Sequence, residues 1–372
     1  MEDGGWSPKG RATCFGAQLA RENRRDRARQ AAWALHEARP EFSARAGLTH
    51  NQRTTLIVCP AVLIGCGLLS PGGTLIGICG LVGLVFLALI GLRLTAALLP
   101  PRWAPRTPLA AEELPMITLL APLRDEAVML ERLSDALSRL DYPADRLELL
   151  FIIKADDADT LAAAVALPRN PGRRIIIVPP GEPRTKPRAL NYAMAFAHGE
   201  LIAVYDAEDR PAPDQLRVAA ESFAAGPDTL ACLQAPLNWY NREDNWLTRQ
   251  FALEYASQFH ALLPLYDRLS WPLPLGGTSN IFRRSALRAV HGWDAWNVTE
   301  DADLGYRLAA LGYHSGLISP PTLEEAPTRL RPWIRQRSRW LKGFLQTIGV
   351  HARGAPPAGR SGRFFLSLGL AL

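Results

Sequence analysis

The sequence predicts an α/β domain organised on a parallel sheet, with membrane helices ahead of it. Apolar strand-like runs alternate with amphipathic stretches from Met116 onward, the rhythm of parallel βαβ units. The run Leu201–Tyr205 is uninterrupted, which suits a strand covered on both faces. Two strongly apolar segments precede this region, one of them long enough to span a bilayer.

The 372 residues suffice for one large domain or two ordinary ones with a substantial core. Lys and Arg outnumber Asp and Glu by 42 to 36, with basic clusters at Arg21–Arg29 and Arg329–Lys342. Diffuse basic charge beside so many apolar stretches points to a membrane surface or a phosphorylated substrate. No zinc-finger, RNA-recognition or helix-turn-helix pattern supports a nucleic-acid partner. Five cysteines lack C-x-x-C spacing, and three of them, Cys59, Cys66 and Cys79, sit in apolar sequence. A disulfide scaffold or structural zinc is therefore not expected, and the soluble part is expected to face a reducing cytoplasm.

Residues 1–53 read as a basic cytosolic segment, with a charged helix over Ala17–Ala38 and no core pattern. A two-helix transmembrane hairpin is expected over 54–99, from Leu56–Leu69 and Thr74–Leu92 with Ser70–Gly73 as its turn. Both ends then lie on one side, and Arg53, Arg93, Arg102 and Arg106 satisfy the positive-inside rule with the domain that follows on the cytosolic side. A Pro/Arg-rich linker fills 100–114. Strands follow at Met116–Ala121, Leu147–Lys154, Arg174–Val178, Leu201–Tyr205 and Thr229–Gln234, with helices at Glu126–Leu140, Pro187–His198 and Trp246–Leu263. The globular domain is placed at 115–327 and an amphipathic interfacial helix at 328–352. Residues 361–372 read as the start of a further membrane helix that is cut short.

Polar clusters fall at the ends of these elements. Asp206 and Glu208, on the turn after a buried strand, can share a hard divalent cation, Mg²⁺ or Mn²⁺, whose shell substrate phosphates complete. Asp209 is a substitute ligand. Asp157 can accept hydrogen bonds from a nucleotide or cap the following helix, with Asp156 beside it. Lys186 and Arg188 open a helix, where cations and free N–H groups make an anion site; solvated surface charge is the plainer reading of Arg188. Asp301 can act as a general base or as a first-turn acid of a helix over Asp303–Leu311, with Glu300 and Asp303 in support. Arg339 can pair with a diphosphate and Trp340 can stack on a sugar ring, or the helix that carries them can simply lie on anionic lipid.

In order, Ala155-Asp-Asp-Ala-Asp159, Asp206-Ala-Glu208, Thr299-Glu-Asp301 and Gln336-Arg-Ser-Arg-Trp340 resemble the D,D, D-x-D, T-E-D and Q-x-x-R-W signatures of processive family 2 glycosyltransferases, such as cellulose and hyaluronan synthases. The resemblance covers about residues 115–345. It implies a GT-A (Rossmann-like) fold and inverting transfer from a nucleotide-sugar, expected to be a UDP-sugar, to a polysaccharide or lipid-linked acceptor. It also implies a base contact from Asp157 with Asp156, a nucleotide contact from Lys186, metal held by Asp206 and Glu208, and Asp301 as base. Glu300, Gln336, Arg339 and Trp340 then contact substrate. Q-x-x-R-W favours a growing polysaccharide, with membrane lipids and further export subunits as partners. Single transfer to a lipid carrier and a silent membrane scaffold are the rival readings. Two departures stand out: Glu208 replaces the second Asp of D-x-D, and Arg124 stands where many relatives carry an aromatic that covers the base.

Overall fold

A computed structural model describes residues 8–353; the apolar tail at 361–372 lies outside the described residues. The strands in chain order are β1 (Ile117–Leu123), β2 (Leu147–Lys154), β3 (Arg173–Val178), β4 (Leu201–Val204), β5 (Arg210–Pro211), β6 (Leu230–Gln234), β7 (Leu237–Trp239), β8 (Asn280–Arg283), β9 (His314–Leu317) and β10 (Thr322–Glu324). The main sheet runs β3-β2-β1-β4-β8-β6-β9, and β5-β10-β7 form a small second sheet.

β1 to β4 are parallel, as their near-continuous apolar sequences require. β8 departs from the parallel expectation and runs antiparallel to both β4 and β6. Its register explains the reversal. Asn280 pairs with Val204 and Gln234, so the chain re-enters at the edge it left after β6 and must run back down. Large buried clusters cover both faces, one around Leu120, Ile202 and Phe282, the other around Phe151, Ala203 and Ile281.

The helices are α1 (Pro8–Ala38), α2 (His50–Leu69), α3 (Pro71–Leu98), α4 (Leu130–Ser138), α5 (Ala158–Ala166), α6 (Lys186–Ala193), α7 (Gln215–Ala225), α8 (Trp246–Ser257), α9 (Leu263–Arg268), α10 (Arg284–Ala289), α11 (Glu300–Ala310) and α12 (Leu330–His351). α4 begins four residues later than the sequence suggests. Asp125 takes a positive φ of 58°, and the Glu126 N–H donates to Thr160 Oγ1, so the chain turns before it can coil. α8 continues through a π-turn at Gln258–Leu262 into α9.

α1 carries an inner face that its charged sequence hides. Ala28, Ala31, Ala32 and Leu35 are buried, Asn191 Nδ2 donates to Ala31 O, and Trp296 Nε1 donates to Ala32 O. α2 and α3 are long and apolar enough to cross a membrane, and their apolar side chains are almost all exposed. The turn between them is shorter than expected, since only Ser70 separates the two helices. Both ends of the pair meet the globular part. Gln52 Nε2 donates to Gly349 O, and Leu92 and Ala96 pack on Leu262 and Leu265.

Candidate active site

The parallel strands end together, with Leu123 opposite Ile153 and Leu120 opposite Val204. Ligands of open α/β sheets bind beyond such carboxyl ends. The polar loops after β1, β2 and β4 all emerge here. Asp157 caps α5, accepting from Thr160 N at 3.2 Å, and its other oxygen accepts from Asp125 N at 2.7 Å. Burial alone would raise its carboxyl, but these donors hold it below the usual range. Asp157 thus ties the β1 loop to α5, the capping role the sequence left open. Asp156 is exposed and faces Arg184 at 3.6 Å. Neither lines the cavity that gathers the other polar residues of this edge.

That cavity, about 320 Å³, gathers residues far apart in sequence. The β4–β5 loop supplies Asp206 and Glu208, α6 supplies Lys186, and α11 supplies Glu300 and Asp301. α12 closes it with Gln336, Arg339 and Trp340. A cleft of about 650 Å³ continues past Glu208, Gln336 and Arg339 toward Glu126.

Lys186 Nζ lies 2.5 and 2.7 Å from the two Asp206 carboxylate oxygens and donates to Gly277 O at 2.8 Å. Burial alone would lower the ammonium, but the charges of Asp206, Glu300 and Asp301 together with the Asp206 hydrogen bond push it above its ordinary value. Arg188 instead turns into the protein, donating to the carbonyls of Pro179 and Gly181, so it is neither surface charge nor part of the site. Asp209 lies beneath the loop. It accepts from Asp206 N at 2.7 Å and from the Thr278 hydroxyl, and it does not line the cavity. As a substitute metal ligand it is misplaced; it fixes Asp206.

The donor set suits a hard divalent cation. Asp206 and Glu208 present carboxylates to one cavity, and burial followed by the Asp206 charge raises Glu208. Burial and then Glu208 and Asp206 push Glu126 up to about 6. The site is thus short of positive charge. Among the described residues no three His, Cys, Asp or Glu side chains converge on a metal position. Two carboxylates with oxygens from a diphosphate and water match the incomplete protein shell common for Mg²⁺.

α11 starts at Glu300, three residues earlier than the sequence reading, which brings Glu300 and Asp301 into its first turn. Asp301 Oδ1 accepts from Ala302 N at 2.8 Å, while Oδ2 approaches Gly277. Burial raises both carboxyls, and the Asp301 charge adds to burial in pushing Glu300 up to about 8. Asp303, expected to support the site, faces away. It is fully buried and pairs with Arg307 Nη2 at 3.2 Å and His351 Nε2 at 2.9 Å, which binds α11 to α12.

The segment Trp296–Thr299 holds α12 in place. Val298 N donates to Gln346 Oε1, Gln346 Nε2 donates to Trp296 O, and Asn297 Nδ2 donates to Thr347 Oγ1. Trp340 leans on Phe251 and Tyr255, with ring centroids 6.0 and 6.3 Å away. Arg337 stacks over Trp340 at 5.1 Å and pairs with Glu254 of α8. The motif is therefore braced by aromatics of α8. The sequence reading missed Arg337, Tyr255 and Glu324, all of which line the cavity. Only a heptad count across two helices could have linked the first two, and Glu324 sits on a strand too short to show a pattern.

Residues 201–370 match the family described as Glycosyl transferase family group 2. The beta-monoglucosyldiacylglycerol synthase of Synechocystis sp. is 30% identical over 237 residues, covering 62% of this chain and 48% of that protein. Cellulose synthase 2 of Novacetimonas hansenii is 28% identical over 241 residues, covering 63% of this chain and 15% of that protein. The chain thus spans half or less of the length of these two relatives. Among solved structures, a mannosyltransferase from Pyrobaculum calidifontis in complex with GDP-Man and Mn²⁺ superposes with a TM-score of 0.58 at 23% identity. It covers 77% of this chain and 79% of that one, and shows the shared GT-A fold. Residues 201–370 are thus similar to family 2 glycosyltransferases.

Proposed function

We propose that this chain is a family 2 glycosyltransferase that performs inverting transfer of a sugar from a nucleotide-sugar, and that its acceptor is a growing polysaccharide at the cytoplasmic membrane. The observation that carries this reading is the single cavity shared by Asp301, the Asp206/Glu208 pair and the Gln336–Trp340 face of α12.

The acceptor hydroxyl attacks the anomeric carbon from the side opposite the diphosphate. A C–O bond to the acceptor forms, the anomeric C–O bond to the diphosphate breaks, and its electron pair leaves with the diphosphate. Asp301 takes the hydroxyl proton. Its raised affinity for a proton suits this task, because a carboxyl at its ordinary value is a poor base. Lys186, which lines the same cavity, would offset charge on the leaving group. A divalent cation held by Asp206 and Glu208 would stabilise the same developing charge. Trp340 offers the acceptor sugar a flat apolar face.

A second reading, single transfer to a lipid, is favoured by the outer face of α12. Leu330, Ile334, Leu341 and Leu345 are exposed there, beside the cavity yet on the side away from Gln336 and Trp340. That face suits a bilayer surface from which a lipid acceptor could enter. The α2–α3 pair, with both ends on the globular part, supports a multi-pass anchor with the catalytic domain on the cytosolic side.

Nucleoside diphosphate release from a panel of nucleotide-sugars by the detergent-solubilised protein, with and without Mg²⁺ or Mn²⁺, tests the proposal. Turnover of one donor that depends on metal and on Asp301 is the expected result. A polymer ladder supports the first acceptor reading and one added residue the second. Wild-type and Asp301→Asn proteins that are equally silent toward every donor would overturn both.

A further inference from the structure

We infer that Glu324, at the end of β10, binds hydroxyl groups of the sugar being transferred and so helps determine which donor is accepted. The inference rests on the sugar-transfer reading above and adds to it a residue that none of the sequence signatures contains.

Glu324 is held by its neighbours rather than by its own side chain. Its carbonyl accepts from Tyr240 N at 3.0 Å, and the Tyr240 hydroxyl donates to Glu325 at 2.6 Å. Two residues on, Asn241 exchanges hydrogen bonds with both the N–H and the carbonyl of Ala326, at 2.8 and 2.9 Å. Strand alternation sends Leu323 and Glu325 outward, where both are exposed, and turns Glu324 into the cavity. A carboxylate on a backbone fixed from both sides is positioned in advance of any ligand.

Its chemistry asks for a donor. Glu324 Oε1 is shielded from solvent and has no hydrogen-bond partner among the described residues. Leaving such an atom unmatched is costly, so an unmatched one in a cavity wall is a mark of a ligand group. Gln336 Oε1, in the same wall, is likewise shielded and without a partner among the described residues. Two acceptors facing one cavity call for hydroxyl or ammonium donors, and the ligand with several hydroxyls at this place is the sugar. Glu324 also lies within electrostatic reach of Asp206 and Glu208. That places it at the diphosphate end, where the sugar of the donor sits, rather than out on the acceptor path.

The test separates the sugar from the diphosphate. In the full chain, on an Asp301→Asn background that prevents turnover, calorimetry compares Glu324→Gln with Glu324 intact. The probes are the donor that wild type turns over and its nucleoside diphosphate, both with Mn²⁺. Replacing one carboxyl oxygen by an amide N–H should weaken the nucleotide-sugar by about 10-fold and leave the nucleoside diphosphate unchanged. Equal weakening of both would make Glu324 a metal or diphosphate ligand and overturn the inference. So would no weakening of either, which would mark it as a structural carboxyl. If Glu324→Gln does not fold, deoxy analogues of the donor are titrated against the Asp301→Asn protein. At least one must bind about 10-fold worse or more; uniform affinity overturns the inference. Failure of the sugar-transfer reading looks different, because then wild type binds no nucleotide-sugar at all and Glu324 has no sugar to read.

Discussion

Gly343 of α12 lies directly against Thr299. A Cβ at residue 343 would fall 2.3 Å from Thr299 Cγ2 and 2.6 Å from its hydroxyl, well inside contact distance. Thr299 precedes the Glu300/Asp301 pair, and Gly343 follows Gln336–Trp340 by one turn, so this contact sets the spacing between the proposed base and the α12 face.

Gly343→Ala should therefore push α12 away from α11. Forced overpacking costs about 1–3 kcal/mol, and a displacement near 1 Å in a reacting geometry can lower turnover by about 100-fold. Thermal unfolding and donor turnover, measured together, check this. Wild-type activity in a protein whose melting temperature has dropped would show that the spacing does not matter.

Asp301→Asn should lower kcat by about 10²- to 10⁴-fold, the usual worth of a positioned general base, while nucleotide affinity stays the same. Asp303→Asn gives the contrast. It breaks the buried contacts to Arg307 and His351 and should cost stability first. Steady-state kinetics beside denaturant unfolding distinguish the two.

A cation held by Asp206 would have to compete with Lys186, because the ammonium contacts both carboxylate oxygens. Lys186→Met should bind Mn²⁺ alone more tightly than wild type and nucleoside diphosphate more weakly. Manganese paramagnetic resonance reads the first and calorimetry the second. A loss of Mn²⁺ affinity would contradict the pairing. Chelation should abolish turnover in wild type and restore nothing in the variant.

The pH dependence has a definite sign. Burial raises Asp301, and a base must be ionised, so kcat/KM should fall with acid through a point above the ordinary carboxylate range, where the unburied residue would still be active. Glu300, raised by burial and by the Asp301 charge, is expected to hold its proton while Asp301 titrates. Glu300→Gln should then leave the acid limb in place and remove a change on the alkaline side. A limb that moves with Glu300→Gln would reverse the order of the two groups.

Much of the site is legible in the sequence because its residues are short-range signals at strand ends. Asp206 and Glu208 follow a buried strand, and Lys186 opens a helix. Gln336, Arg339 and Trp340 recur at helical spacing. Each is where the sequence places it, and the α/β rhythm, β2 to the residue, needed only local periodicity.

What escaped depends on contacts between distant segments. The inner face of α1 is four small or aliphatic residues among charges, and only the α6 surface makes a core of them. The reversal of β8 follows from where a long excursion returns, which no residue of β8 encodes. Asp209, Asp303 and Glu324 look alike in sequence, three acids near a motif. One supports a loop from below, one clamps two helices and one faces the cavity. The sequence determined which elements form and which acids stand near their ends, because propensity and periodicity act over a few residues. Which way each acid points was decided by tertiary packing alone, since burial and partners come from segments distant in sequence, Thr278 for Asp209 and His351 for Asp303.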